Sequence, residues 1–230
     1  MDLDDLFLKT LGIEKSKYGK IYSFVDFGNV NYWFEKDERD WNGDILQKNE
    51  KLVIGIEKLS CFINLFTLKS RFYFGIDQKA PKSIKIISLA RDSFDKVVTK
   101  DIQRIKHYLE KRELQGNTRV INSDLTGNYV YIPKCNFDVE ICIDAIRFID
   151  QYDTFCLFTS DSDFKYLLEF IKRRGKNIVL FSAGYVQQTL KDKADLNINA
   201  QRIKKNITFI KQKPRLKGEI LISDSHPRAG

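Results

Sequence analysis

Four stretches of this chain share one pattern: KIYSFVD (Lys20–Asp26), RFYFGI (Arg71–Ile76), TFCLFTS (Thr154–Ser160) and NIVLFSA (Asn177–Ala183). Each is a short run of β-branched and aromatic residues with no charge in its interior, and longer amphipathic stretches separate the runs. Runs of this kind read as strands buried on both faces, the condition of a parallel sheet whose crossover helices cover it. Asp95–Ile102 alternates well enough to add a further strand. Helices are expected over Ser83–Ser93, Asn136–Asp150, Ser162–Arg174 and about Val186–Asp192, and Gly175 supplies a C-terminal stop for the third of these. Leu52, Ile56, Leu59, Ile63 and Phe66 fall near helical spacing, so Glu50–Phe66 also reads as a helix. The fold class expected is α/β, three layers (α/β/α) about a mainly parallel sheet.

The strand ends carry the chemistry. Open parallel sheets bind ligands at the carboxyl ends of their strands. Here the first run ends in Asp26, followed by Asn29 two residues beyond Phe27, and the later apolar run ends in Ser160-Asp161-Ser162-Asp163. Asp138 opens the helix that precedes that later run. Carboxylates brought together repel, and a hard divalent cation such as Mg²⁺ or Mn²⁺ is the usual remedy, since both prefer oxygen ligands. Each acid also has a plain structural reading: Asp138 and Asp161 as helix caps, Asp26 in an Asx turn, Asp163 in a first helical turn. It is their joint placement at strand ends that favours a site. Asp144, six residues after Asp138, points about 120° away on an ideal helix.

Charge adds a second signal. The chain of 230 residues has a formal charge of +8, yet Asp outnumbers Glu 21 to 10. Residues 164–217 hold 14 Lys and Arg against three acids, so a basic region adjoins the acid-rich one, as expected for a polyanion partner. Lys165, Arg173 and Arg174 flank the Asp161–Asp163 helix, and Lys204 and Lys205 begin a basic tail; these are the candidate nucleic-acid contacts, with solvated surface charge as the plain alternative. Tyr32, Trp33 and Trp41 are candidates for stacking on unpaired bases. The four Cys form no CxxC pair, and neither a dinucleotide GxGxxG nor a Walker A loop is present. No apolar run reaches membrane-spanning length and the first residues are acidic where a signal peptide would be basic, so a cytoplasmic location with no membrane association is expected. Gly116-Asn117 and Gly127-Asn128 mark turns in a segment, 103–132, that reads as an insertion hairpin. The domain is expected to span 1–203, with 204–230 a basic extension that adds a peripheral strand.

Three segments in this order, FVDFGNVNYW (Phe24–Trp33), CNFDVEICIDAIRF (Cys135–Phe148) and FTSDSDFKYLLEFIKRRGKNIVLFS (Phe158–Ser182), resemble the NYN domain of the PIN-like nuclease superfamily, as does LKDKADLNINAQRI (Leu190–Ile203). The DxD alone is less specific: Toprim domains share it but want a Glu where Asp26 stands, and a haloacid-dehalogenase reading fails on Gly28. The resemblance implies a PIN-like fold and metal-dependent endoribonuclease activity with Mg²⁺ or Mn²⁺. It assigns Asp26, Asp138, Asp161 and Asp163 as catalytic metal ligands, Asn29 as their companion, and Asp144 and Ser160 as supporting residues around them. Family members often carry Gly where this chain has Ser160, and a Lys-Gly pair before the helix acid where this chain reads Lys134-Cys135-Asn136-Phe137. RNA, single-stranded or structured, is the implied partner. A DNA-directed nuclease of the same fold and a non-catalytic RNA-binding or regulatory module are the alternatives, and the sequence is compatible with a homo-oligomer.

Overall fold

The structure is a computed structural model and describes residues 2–114 and 119–212. Two helices, α1 (Leu3–Leu11) and α2 (Lys15–Tyr18), lead into β1 (Ile21–Asp26), which runs directly into the single turn α3 (Phe27–Val30). Next come β2 (Glu50–Ile54), α4 (Ile56–Asn64), β3 (Lys69–Ile76), α5 (Pro81–Ser93) and β4 (Lys96–Asp101). An excursion follows: β5 (Gln103–Tyr108), α6 (Lys111–Leu114), β6 (Asn122–Asp124) and β7 (Gly127–Lys134). The chain returns through α7 (Asp138–Arg147), β8 (Thr154–Phe158), α8 (Lys165–Arg173), β9 (Asn177–Ser182) and α9 (Gln188–Lys191). It then forms β10 (Leu196–Asn199), α10 (Lys204–Ile207) and β11 (Thr208–Gln212).

The central sheet has six strands in the order β10-β9-β8-β1-β3-β4, and every neighbouring pair is parallel. The chain builds outward from β1 on one side through β3 and β4, then crosses back to build β8, β9 and β10 on the other. That reversal opens a crevice at the carboxyl ends of β1 and β8, the place where such sheets bind ligands. The register aligns Val25 with Phe158, so the residues that leave the two strands, Asp26 and Thr159, emerge side by side.

Alternation within the buried strands divides the core into two layers. Val25, Phe72, Cys156, Phe158, Val179 and Phe181 pack toward α1, α4 and the end of α5. Phe24, Tyr73, Phe155, Leu157, Ile178 and Leu180 pack toward α7, α8 and α9. Both faces being covered explains why the strand sequences are apolar throughout instead of alternating with polar residues. The α/β/α layering expected from the sequence is therefore the observed one.

Several elements differ from the sequence-based expectation. Glu50–Phe66 is not one helix: Glu50–Ile54 is a strand, Gly55 caps the turn, and only Ile56–Asn64 is helical. The β-branched pair Val53-Ile54 reaches the strand state because β11 pairs with it antiparallel, Thr208 opposite Ile54. α1 and the short β10 were not anticipated. Gly175 does end its helix in the left-handed region, at φ +72°. Of the 204–230 extension, Thr208–Gln212 is a strand paired with β2, and residues 213–230 lie outside the described residues.

The excursion between β4 and α7 forms its own antiparallel sheet, in the order β5-β7-β6. It joins the main body at Gly75. A side chain there would place Cβ 2.8 Å from Cys135 and 2.8 Å from Ile102, so the close approach requires glycine.

One buried ion pair locks α7 to the sheet. Asp144, 7% exposed, accepts from the Arg71 guanidinium at 2.7 Å and from the Tyr73 hydroxyl at 2.8 Å. Burial pushes the Tyr73 hydroxyl pKa upward, so it stays a donor at all ordinary pH. This anchor fixes the helix whose first residue is Asp138. Replacing Asp144 with Ala leaves a buried guanidinium without its carboxylate, and the expected cost is about 3 kcal/mol. Urea unfolding of Asp144→Ala should show a lower midpoint with an unchanged slope.

Candidate functional site

Four acids reach the crevice by different routes. Asp26 ends β1 and is held where the strand turns into α3. Asp161 and Asp163 sit in the loop and 3-10 turn between β8 and α8, where the Asp161 carboxylate caps the Asp163 amide at 3.0 Å. Asp138 opens α7, and Asn136 braces it twice: its carbonyl oxygen accepts from the Asp138 amide at 2.7 Å, and its amide nitrogen donates to Asp138 Oδ2 at 2.6 Å.

Asp138, Asp161 and Asp163 each offer an oxygen, and these oxygens all lie within 4.8 Å of one another. Asp26 stands outside that trio but lines the same open cleft, of about 200 Å³, together with Asp138, Asp161, Asn29 and Asn136. Its Oδ2 accepts from the Thr159 hydroxyl at 3.0 Å, and the same hydroxyl accepts from the Asp161 amide at 3.2 Å. Thr159 is thus the hinge between the two acid-bearing loops, and the sequence reading did not single it out.

Burial pushes the Asp26 carboxyl up to about 6, against the lowering effect of the Thr159 and Asn29 hydrogen bonds, and the charges of Asp138 and Asp161 raise it further. Asp138 is raised too, first by burial, with Asn136 lowering it and Asp161 and Asp163 adding to the rise. Among the described residues no Lys or Arg forms an ion pair with any of the four acids. Converging oxygens with no ion-paired cation, and only the more distant charge of Lys100 acting on Asp138, are a donor set suited to a hard divalent cation.

Asn29 and Ser160 hold the frame. Asn29 Oδ1 accepts from the Ser160 amide at 2.9 Å and from the Trp33 indole at 3.0 Å. The Ser160 hydroxyl donates to the Ala183 carbonyl at 2.9 Å and accepts from the Ala183 amide at 3.0 Å. A glycine at position 160 would lack that clasp. Asp144, expected beside the cluster, turns instead toward Arg71 and Tyr73, as the helix angle between it and Asp138 requires.

The basic candidates separate sharply. Lys165 opens α8 next to the acids, with its ammonium over the Tyr166 ring at 5.8 Å. Arg173 and Arg174 lie at the other end of α8, about 13 Å along its axis. There Arg173 pairs with Glu169 at 2.7 Å and Arg174 stacks on Phe170. Lys204 is a correction to the sequence reading. It is 6% exposed and bonds Asp37 at 2.7 Å and the Arg39 carbonyl at 2.6 Å, so it is a buried tie with no ammonium to offer a phosphate. Lys205 is exposed on α10, which packs with α4 on the sheet face opposite α7 and α8. Trp33 is buried against Phe158, and Trp41 packs at the core edge under Lys58; Tyr32 alone of the three aromatics is well exposed, at 60%.

The raised Asp26 pKa carries a stability consequence. The native carboxyl titrates near 6 and an unfolded Asp near 3.9, so the native state binds more protons between those values. In metal-free protein, stability therefore falls as pH rises from about 4 to about 6, by on the order of 3 kcal/mol. Asp26→Asn removes that cost and should raise the melting temperature in EDTA at pH 7.5, while the wild type gains the same stability only on acidification.

The comparisons with known proteins agree with this geometry. The NYN domain profile matches residues 20–201. The low amplitude and bright protein LabA of Synechococcus elongatus is 30% identical over 86 residues, a match covering 37% of this chain and 45% of that protein. The matched stretch therefore spans less than half of that relative's length. A crystal structure of a protein of unknown function from Vibrio parahaemolyticus superposes with a TM-score of 0.56 at 21% identity, covering 86% of this chain and all of that one. That likeness shows the shared fold. With the profile spanning β1 through β10 and the acid-bearing crevice between them, this chain belongs to the NYN domain family.

Proposed function

We propose that the chain is a metal-dependent nuclease that hydrolyses phosphodiester bonds in RNA. The observation that carries the reading is the convergence of oxygens from Asp138, Asp161 and Asp163 within 4.8 Å, at a cleft lined by Asp26, Asp138 and Asp161, in a member of the NYN family. Three carboxylates so close are mutually unfavourable without a cation, and Mg²⁺ or Mn²⁺ suits an all-oxygen set. When bound, such an ion activates water and offsets charge on the phosphate and the leaving oxygen.

The protein's own part is positional. Asn136 fixes the Asp138 carboxylate, the Asp163 amide fixes Asp161, and Thr159 fixes Asp26. Asn29 and Ser160 keep the two loops at one spacing, so the oxygens need not reorganise to receive the ion. We assign to Lys165 the holding of a phosphate at the rim, which its position two residues after Asp163, at the start of α8, supports. The overall positive charge favours a polyanionic partner. RNA as the substrate, over DNA, rests on family membership.

The test is direct. Purified protein is incubated with labelled single-stranded RNA and DNA in Mg²⁺, Mn²⁺ or EDTA. Cleavage of RNA is expected with either metal and none in EDTA. Asp161→Asn and Asp138→Asn should each lower the rate by about two orders of magnitude or more while leaving the melting curve near wild type. Lys165→Ala should raise KM with less effect on kcat and should reduce the salt dependence of binding by about one ion. Unchanged cleavage by Asp161→Asn would refute the assignment.

A further inference from the structure

A second cleft, of about 420 Å³, opens beside the acids and shares Asn29 and Ser160 with their frame. Two tyrosines stand in its walls: Tyr32 just beyond α3, 60% exposed, and Tyr185 in the loop after β9, 92% exposed. Large rings so exposed at a cleft are not part of the core; among the described residues neither ring stacks on another ring. Both hang from backbone pinned to a single residue. Ser160 donates its amide to Asn29, at the base of the Tyr32 turn, and clasps Ala183, two residues before Tyr185, through its hydroxyl. The walls of the cleft are therefore fixed to the same loop that carries Asp161.

The polar lining decides what the cleft can hold. Glu35 and Asp37 are in its wall, Gln201 donates to Asp37, and Lys36 is the lone lysine there. This is a poor place for a phosphate. Lys204 neutralises Asp37 from behind and Lys36 stands beside Glu35, so the aromatic faces and amide groups of a lining with little net charge suit a neutral, planar, hydrogen-bonding group. On the far side of the acids a third cleft, of about 310 Å³, shares Cys135 and Asn136 with the acidic one and carries Lys100 and Lys134. The acidic cleft thus shares lining residues with both neighbouring clefts, Asn29 with one and Cys135 and Asn136 with the other.

We propose that the Tyr32–Tyr185 cleft is a base-binding subsite, which stacks the unpaired nucleobase adjoining the phosphate held at the acids. This rests on the nuclease reading above for what lies at the acids, and it assigns the two tyrosines as positioning residues for the substrate. Stacking is tolerant of sequence, because every base presents a π-face, and it demands a base that is not in a duplex. The subsite therefore selects single strands or loops over paired segments.

The test uses short single-stranded oligoribonucleotides with one 2-aminopurine, scanned along the strand, in EDTA so that no cleavage intervenes. Binding should quench the 2-aminopurine at one position. Tyr32→Ala and Tyr185→Ala should each weaken binding by about 5- to 50-fold and abolish that quenching, whereas Tyr32→Phe and Tyr185→Phe should retain both. The salt dependence of binding should be unchanged, since no phosphate contact is lost. An abasic nucleotide at the quenched position should erase the difference between wild type and the alanine variants. Wild-type affinity in both alanine variants, equal losses with the abasic strand, or no binding of the oligoribonucleotide at all would overturn the proposal. The companion cleavage assay separates the two readings. Undiminished cleavage by the double alanine variant overturns the subsite and leaves the nuclease standing. Tyrosine-dependent quenching without metal-dependent cleavage does the reverse.

Discussion

The architecture turns on electrostatic repulsion held in place by a topological reversal. The sheet grows from β1 in both directions, so the connections that leave the adjacent carboxyl ends of β1 and β8 run opposite ways and leave a crevice between them. Into it the chain delivers carboxylates that would lower its energy by moving apart. They are held by neutral hydrogen bonds from Thr159, Asn136 and backbone amides, and among the described residues no Lys or Arg is ion-paired with them. Burial first, and the charges of Asp138 and Asp161 after it, hold the Asp26 carboxyl near 6, above the ordinary carboxylate range. Strain of this sort is kept where the surrounding fold over-determines the geometry, which the two buried core layers and the Asp144–Arg71 lock provide.

Much of this was legible in the sequence, for a physical reason. Strands buried on both faces leave an apolar signature independent of their partners, so Ile21–Asp26, Lys69–Ile76, Thr154–Phe158 and Asn177–Ser182 could be read singly. Their order then fixed which acids end which strands, and the family motifs followed the same positions. Elements whose state depends on a distant partner were not legible. Lys51–Ile54 has residues at helical spacing and is a strand only because Thr208–Gln212 lies alongside. Leu196–Asn199 is too short to announce itself and is recruited by β9.

Side-chain roles divided along the same line. Asp26, Asp138, Asp161 and Asp163 were visible because strand ends and helix starts are local features. Lys204 was misread because a lysine in a basic run looks solvated until Asp37 and the Arg39 carbonyl are seen around it. Arg71 was read as the start of a strand, and nothing in its neighbourhood names Asp144 as its counter-ion. Thr159 and Ser160 were passed over or half-read for a related reason: small hydroxyls tie loops together in ways that spacing does not record.

The Lys204–Asp37 tie also bears on where this unit of folding ends. The family profile stops at residue 201, yet the ammonium that neutralises Asp37 and the strand that flanks Leu52 and Ile54 both come after it. Inheritance and mechanics thus draw the border in different places. Transplanting only the inherited portion into another polypeptide would strip the loop behind Tyr32 of its anchor. Such a chimera would keep the acids and lose the shape of the wall beside them.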